Sequence, residues 1–142
     1  MKKNILALDL GKGSLGVAIS RSGMFITPLA NPRFHLDQYD EDIDFLKELL
    51  RKEKVETFVI GYPSYPSGDP CEMSLVVDDF IKLLNTAFPK IPVIKQDERY
   101  TTLEASNVLH ENGQKSKKQH KSIDSTAACV ILERYLTSIN QM

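Results

Sequence analysis

The stretch LALDLGKGSLGVAIS, residues 6–20, holds the choice between two folds. It spells G-x-G-x-x-G at Gly11, Gly13 and Gly16, straight after an apolar run, with Asp9 two residues ahead of the first glycine. In one reading the glycines open a helix whose N-terminus holds a dinucleotide pyrophosphate. In the other, Asp9 ends a strand and holds a metal ion. The residues downstream argue against the first. Val17, Ala18 and Ile19 run into Gly23 and then Pro28, which leaves a turn where the body of the helix should be. Asp37 has the spacing of a ribose-binding carboxylate, but Asp9 would repel the phosphate that the glycines are meant to hold. The second reading explains more. "NILALDL" suits a central strand buried on both faces, and "LGVAIS" suits its hairpin partner. A carboxylate that closes such a strand is expensive to bury unless a charge compensates it. Mg²⁺ and Mn²⁺ do so directly, because they favour carboxylate oxygens. The plainer alternative is that Asp9 caps the hairpin turn by hydrogen bonding.

Outward from this hairpin the pattern becomes alternating. "MFITPLANP" adds a third strand, which Pro28 and Pro32 assign to an edge. Ile43, Leu46, Leu49 and Leu50 recur at helical spacing, and "ETFVIGYP" is a buried strand ending at Gly61. A loop rich in Pro, Ser and Gly runs to about Pro70. A helix follows, with Val76, Phe80, Leu83, Leu84 and Ala87 on one face, then the short strand "IPVIKQ". Thr101 and Glu104 form a capping box for a helix through about Leu109. The last helix is expected from Ser122 or Ile123 to about Ile139. A hairpin followed by helix–strand alternation predicts an α/β fold with a mixed central sheet flanked by helices.

Bulk properties fit one domain over residues 1–142. With 42% hydrophobic and 26% charged residues the composition is that of a folded globular chain. A formal net charge of -1 means that any nucleic-acid binding must come from a local patch. Cys71 and Cys129 have no metal-site spacing and read as free thiols. The apolar stretch at the N-terminus is broken by Asp9, too early for a signal or membrane segment, so the expected location is cytoplasmic, with no membrane partner.

Two further carboxylates stand near element ends. Asp97 and Glu98 follow the last expected strand, and the carboxyl ends of parallel strands are where ligands bind in α/β sheets. A solvated turn cluster is the plainer reading of Asp97-Glu98-Arg99. Asp124 falls in the first turn of the expected last helix, where the helix dipole alone would favour it. Yet Ala127, Ala128, Ile131 and Tyr135 lie along the same side, and small residues let that side approach a sheet closely. Between them, "HENGQKSKKQHKS" carries Lys115, Lys117, Lys118 and Lys121 with no acid after Glu111. It reads as a flexible basic loop beside Asp124, suited to phosphate contacts that position a substrate without reading its sequence. Arg99 suits a bidentate phosphate clamp or a carboxylate pair.

Together, Asp9-Leu-Gly with Gly16-Val-Ala, Gly61-Tyr-Pro63, Asp97-Glu98-Arg99 with Thr101-Thr102, and Asp124 with Ala127-Ala128 resemble the YqgF family over nearly the whole chain. The family comprises small bacterial proteins of RNase H-like fold, described as Holliday junction resolvases and as pre-16S rRNA nucleases. The resemblance implies an RNase H-like nuclease domain in which Asp9, Glu98 and Asp124 are the acidic, metal-binding triad. One or two Mg²⁺ or Mn²⁺ ions would serve as cofactor, with metals roughly 4 Å apart in two-metal enzymes. It also assigns the family's turn to Gly61 and Pro63, its loop glycine to Gly68 and its arginine to Arg99. Where the family usually carries two basic residues before the second glycine, this chain has Lys12 alone. His35, His110 and His120 lie outside the motifs, so no histidine base is expected.

Two other classes compete. Actin-like and sugar-kinase ATPases use the same Asp-x-Gly hairpin but need two such domains, more than 142 residues supply. A non-catalytic module that binds RNA or the ribosome would have little need of all three acids. Resolving a four-way DNA junction usually calls for a symmetric dimer, and no dimerisation stripe stands out in the sequence. The expected partner is therefore nucleic acid, RNA ahead of DNA, with the assembling small ribosomal subunit as a candidate and the oligomeric state open.

Overall fold

Side-chain alternation along the first strand sorts the molecule into two faces. In the computed structural model, which describes residues 4–23, 25–97 and 116–140 without the side chains of 116–126 and 140, β1 (Ile5–Leu10) lies at the centre of a five-stranded sheet. It pairs antiparallel with β2 (Leu15–Ser20) and parallel with β4 (Thr57–Tyr62). The short β3 (Thr27–Ala30) forms one edge beside β2, and β5 (Val93–Asp97) forms the other beside β4. The spatial order is β3-β2-β1-β4-β5. This is the mixed, hairpin-first sheet that the sequence predicts, and Pro28 sits in the edge strand where a missing N–H is tolerated.

Leu6, Leu8, Leu10, Leu15, Val17, Ile19, Phe58 and Ile60 point to one face. There they meet α1 (Tyr39–Lys52) through Ile43 and Leu46, and α2 (Glu72–Ala87) through Val77, Phe80 and Leu84. The opposite face is made of Ile5, Ala7, Ala18 and Val59, covered by Ala128, Ile131, Leu132 and Leu136 of α3 (Ser116–Asn140). Helix α1 has Asp40, Glu41 and Asp42 in its first turn and Arg51 and Lys52 in its last, a charge order that suits the helix dipole. Helix α2 starts with a reciprocal cap between Cys71 and Ser74.

Three expectations need correction. Leu83 was expected on the apolar face of its helix but is 41% exposed; the buried stripe is Val77, Phe80 and Leu84, offset by one turn position. Strand β4 runs one residue past Gly61, to Tyr62. The last helix begins at Ser116, not at Ser122 or Ile123. Lys, Gln and Ser are adequate helix formers, and propagation from a packed segment costs far less than nucleation, so an apolar face is not required of the first turns. The capping box at Thr101 and Glu104 lies outside the described residues.

Candidate functional site

The glycines of the opening motif answer a packing demand. The turn between β1 and β2 is closed by the Gly11 N–H donating to the Ser14 carbonyl at 2.9 Å. A Cβ on Gly11 would stand 2.8 Å from the Ser14 hydroxyl oxygen, and one on Gly13 would stand 3.2 Å from Leu36 and 3.3 Å from the Phe34 carbonyl oxygen. Gly13 thus allows residues 34–37 to close over the turn, where the Phe34 N–H donates to the Gly13 carbonyl. Gly16 begins no helix. It sits in β2, directly opposite Asp9.

That pairing defines the surroundings of Asp9. Directly opposed residues share a face, and Asp9 alternates with Ile5 and Ala7, so Asp9 and Gly16 both belong to the α3 face. On the other side of β1, the pairing ends with Leu8 opposite Ile60, and Gly61 is the next residue of β4, paired with Gln96 of β5. Asp9 therefore faces a strand neighbour without a side chain, Gly16, near the carboxyl ends of β1 and β4. Its half-buried position in an otherwise fully buried strand keeps it in reach of solvent.

Helix α3 covers this face through a stripe of small and branched residues, with Ala128 fully buried. Asp124 lies one turn before Ala128. Since α3 starts at Ser116, Asp124 is in the third turn and not the first, and the helix dipole, which acts within the first turn, no longer accounts for it. Lys117, Lys118 and Lys121 likewise belong to this helix and not to a flexible loop. The side chains of these four residues lie outside the description, as do Glu98, Arg99 and Lys115 altogether. Among the described residues, no three His, Cys, Asp or Glu side chains come together in a way that could hold a metal.

Asp97 parts from this row. It alternates with Val93 and Lys95 and lines a cleft of about 320 Å³ with Tyr62, Ser64, Gly68 and Lys95. Within it, the Lys95 ammonium is 2.9 Å from Asp78 and 4.5 Å from the centre of the Tyr62 ring, while the Tyr62 hydroxyl donates to Asp78 at 3.0 Å. The hydrogen bond from Lys95 holds the Asp78 carboxyl below its usual range, and burial with the Asp78 contact raises Tyr62. Nothing in the sequence pointed to this trio, whose members lie on β4, α2 and β5.

A second cleft, of about 600 Å³, opens on the other side of the hairpin turn. Lys12 is exposed at its rim, and Leu36, Tyr39, Tyr65 and the start of α2 form its walls. Tyr65 was missed from the sequence, although an aromatic in a loop of Pro, Ser and Gly is a signal that points to it. The two cysteines are free, as expected. Among the described residues, no helix is long and apolar enough to cross a membrane.

Comparison with known proteins identifies relatives along the whole chain. A family model described as RuvX, Holliday junction resolvase, matches residues 3–138. A protein of Onion yellows phytoplasma is 35% identical over 134 residues, covering 94% of this chain and 89% of its own. One from Mesoplasma florum is 35% identical over 141 residues, covering 97% and 99%. A third, from Chlorobium phaeobacteroides, is 36% identical over 136 residues, covering 94% and 92%. All three carry the name "Putative pre-16S rRNA nuclease".

Proposed function

This chain belongs to the RuvX (YqgF) family of RNase H-like nucleases, and we propose that it hydrolyses phosphodiesters in precursor 16S rRNA with Mg²⁺ or Mn²⁺ held by Asp9, Glu98 and Asp124. The observation that carries this reading is the row on the α3 face. Asp9 stands directly opposite Gly16, which brings no side chain, near the carboxyl ends of the parallel strands. Glu98 follows the last residue of β5 in sequence, and Asp124 precedes the helix residues that cover this face.

The donor set fits the cofactor. Carboxylate oxygens are the ligands that Mg²⁺ and Mn²⁺ prefer, and the proposed set contains no thiolate, which would favour softer metals. When bound, such ions supply an activated water and charge stabilisation for the leaving oxygen. The chain's own part is to hold carboxylates on rigid elements and to bring the phosphodiester to them. Lys12 and the basic residues Arg99, Lys115, Lys117, Lys118 and Lys121 are the proposed phosphate contacts, which orient the backbone without selecting sequence. The single domain, a cytoplasmic location and action on the assembling small ribosomal subunit belong to the same proposal.

The family description favours a second reading, cleavage of a four-way DNA junction. One experiment tests both. A labelled RNA spanning the 5′ leader of precursor 16S rRNA and a four-way DNA junction are each incubated with Mg²⁺, Mn²⁺ or EDTA, beside an Asp9→Asn variant. Metal-dependent cutting of the RNA, reduced at least about a hundredfold in the variant, is expected, since such ions lower the barrier by several kcal/mol. Paired, symmetric cuts in the junction alone would move the assignment to DNA. A folded protein that binds RNA in EDTA and cuts neither substrate would be a binding module.

A further inference from the structure

We propose that the 600 Å³ cleft beside the hairpin turn receives one unpaired nucleobase of the substrate, stacked on Tyr65 and hydrogen-bonded through an exocyclic amino group to Asp37 and Glu72. The proposal rests on the reading of the substrate as nucleic acid and adds what part of it is recognised.

The chemistry of the walls selects the ligand. Leu36, Tyr65 and Met73 provide apolar and aromatic surface, and Lys12, Asp37 and Glu72 are the charged groups. One cation against two carboxylates disfavours a phosphate. Such a set suits a flat, uncharged group that brings hydrogen-bond donors. Cytosine and adenine present amino donors of this kind, and uracil does not. Single-stranded RNA is commonly read in this way, with a splayed base stacked on an aromatic ring and bonded along its edge. The volume lies within the range of small-molecule sites and exceeds what one base needs, which leaves room for its ribose and water.

The cleft is also preformed. Tyr65 is 56% exposed, yet its backbone is fixed. Its N–H donates to the Asp69 carbonyl at 2.9 Å, and its own carbonyl accepts from Gly68 at 2.8 Å. Gly68 has φ +95°, a conformation that glycine adopts without strain, so the turn holds the ring outward at low cost. On the facing wall, Asp37 takes φ +60°, and its N–H reaches the Lys12 carbonyl at 3.4 Å. The Asp37 wall is thereby tied to the turn that follows Asp9. Lys12 is three residues from Asp9, a span of at most about 11 Å, so a strand whose phosphodiester lies at Asp9 can pass Lys12 and set a nearby base into the cleft.

The test measures binding in EDTA, so that no cutting intervenes, with fluorescein-labelled oligocytidylate, oligouridylate and an abasic oligonucleotide of equal length. The full chain is expected to bind oligocytidylate more tightly than oligouridylate, and the abasic strand most weakly. Tyr65→Ala should weaken oligocytidylate about tenfold, the usual effect of losing one base-stacking aromatic, and leave the abasic strand unchanged. Tyr65→Phe should bind as the parent does. Asp37→Asn combined with Glu72→Gln should remove the preference for cytosine. Tyr65→Ala binding oligocytidylate within twofold of the parent would overturn the proposal, as would equal affinity of the parent for all three strands. Cleavage of the same oligonucleotides with Mn²⁺ separates this outcome from the enzymatic reading. A protein that cuts without any Tyr65 dependence of binding loses only the cleft, and one whose binding depends on Tyr65 but which never cuts loses only the nuclease.

Discussion

The two faces of the sheet are built to different scales. Toward α1 and α2 the strands present Leu6, Leu8, Leu15, Phe58 and Ile60, and the helices answer with Leu46, Phe80 and Leu84. Toward α3 they present Ala7, Gly16, Ala18 and Gly61 beside Ile5 and Val59, met by Ala128, Ile131, Leu132 and Leu136, so the small residues of this face are mainly on the strands. Large residues fill space and leave little of it for a ligand. Small ones let a helix lie close along the face, and Asp9 stands at one end of it. Most of the large, fully buried side chains lie on one face, and the other carries the proposed site.

Substitutions that change size should therefore have opposite consequences on the two faces. Phe58→Ala opens a cavity in the large-residue face, where Phe58 is fully buried beside Phe88 at 5.4 Å between ring centres. It should cost about 3–5 kcal/mol. Ala128→Leu overfills the small-residue face and should cost about 1–3 kcal/mol. The second change should also reduce cleavage in the fraction that remains folded, since it pushes α3 from the face that holds Asp9. Urea unfolding with activity measured on the folded protein checks both. A large loss of stability from Ala128→Leu with full activity would break the division of labour.

The large-residue face holds a buried carboxyl that makes stability depend on pH. Asp42 is 2% exposed in the first turn of α1, and burial, with the charges of Glu41 and Asp40, raises its carboxyl from 3.8 to about 7. The folded state then holds a proton that the unfolded chain releases at lower pH. The resulting stabilisation is complete below about pH 4 and is lost as pH rises through about 7, with an upper limit of about 4 kcal/mol for a shift of this size. Urea midpoints at intervals from pH 4 to 8 should fall for the parent and change much less for Asp42→Asn. A variant with the parent's slope would assign the pH dependence to other groups.

How far the sequence carried differs by face in the same way. The hairpin, the buried strands and the edge position of Pro28 follow from composition and period, and the resemblance in Asp9-Leu-Gly and Gly61-Tyr-Pro63 led to the family that the comparisons identify. The pairing of Asp9 with Gly16 was not legible, because it depends on which residue of β2 stands opposite, and register is a property of the folded sheet. Asp42 was hidden in the acidic run DEDID, which has the form of an ordinary solvated helix start. The lysines of 116–121 looked like loop because they show no apolar period, although a helix already packed at Ala128 and Ile131 can extend through such residues.

Tyr39 offers the smallest and sharpest test of the comparison. Its ring packs edge-on to Phe80 at 6.2 Å between centres, as befits the large-residue face, and its hydroxyl oxygen is buried with no hydrogen-bond partner among the described residues. Burial, with Asp37 and Asp42 nearby, raises its pKa, so the group remains neutral and its polarity is an uncompensated cost. Removing a buried, unpaired hydroxyl while keeping the ring should stabilise, by about 1 kcal/mol. Tyr39→Phe should therefore raise the urea midpoint and leave binding of oligocytidylate unchanged, since the buried oxygen is not open to the cleft that the ring helps to line. A loss of stability would mean that the hydroxyl has a partner beyond the described residues. A loss of binding at unchanged stability would join Tyr39 to Tyr65 as part of the base site, and the face of large residues would then serve recognition as well as packing.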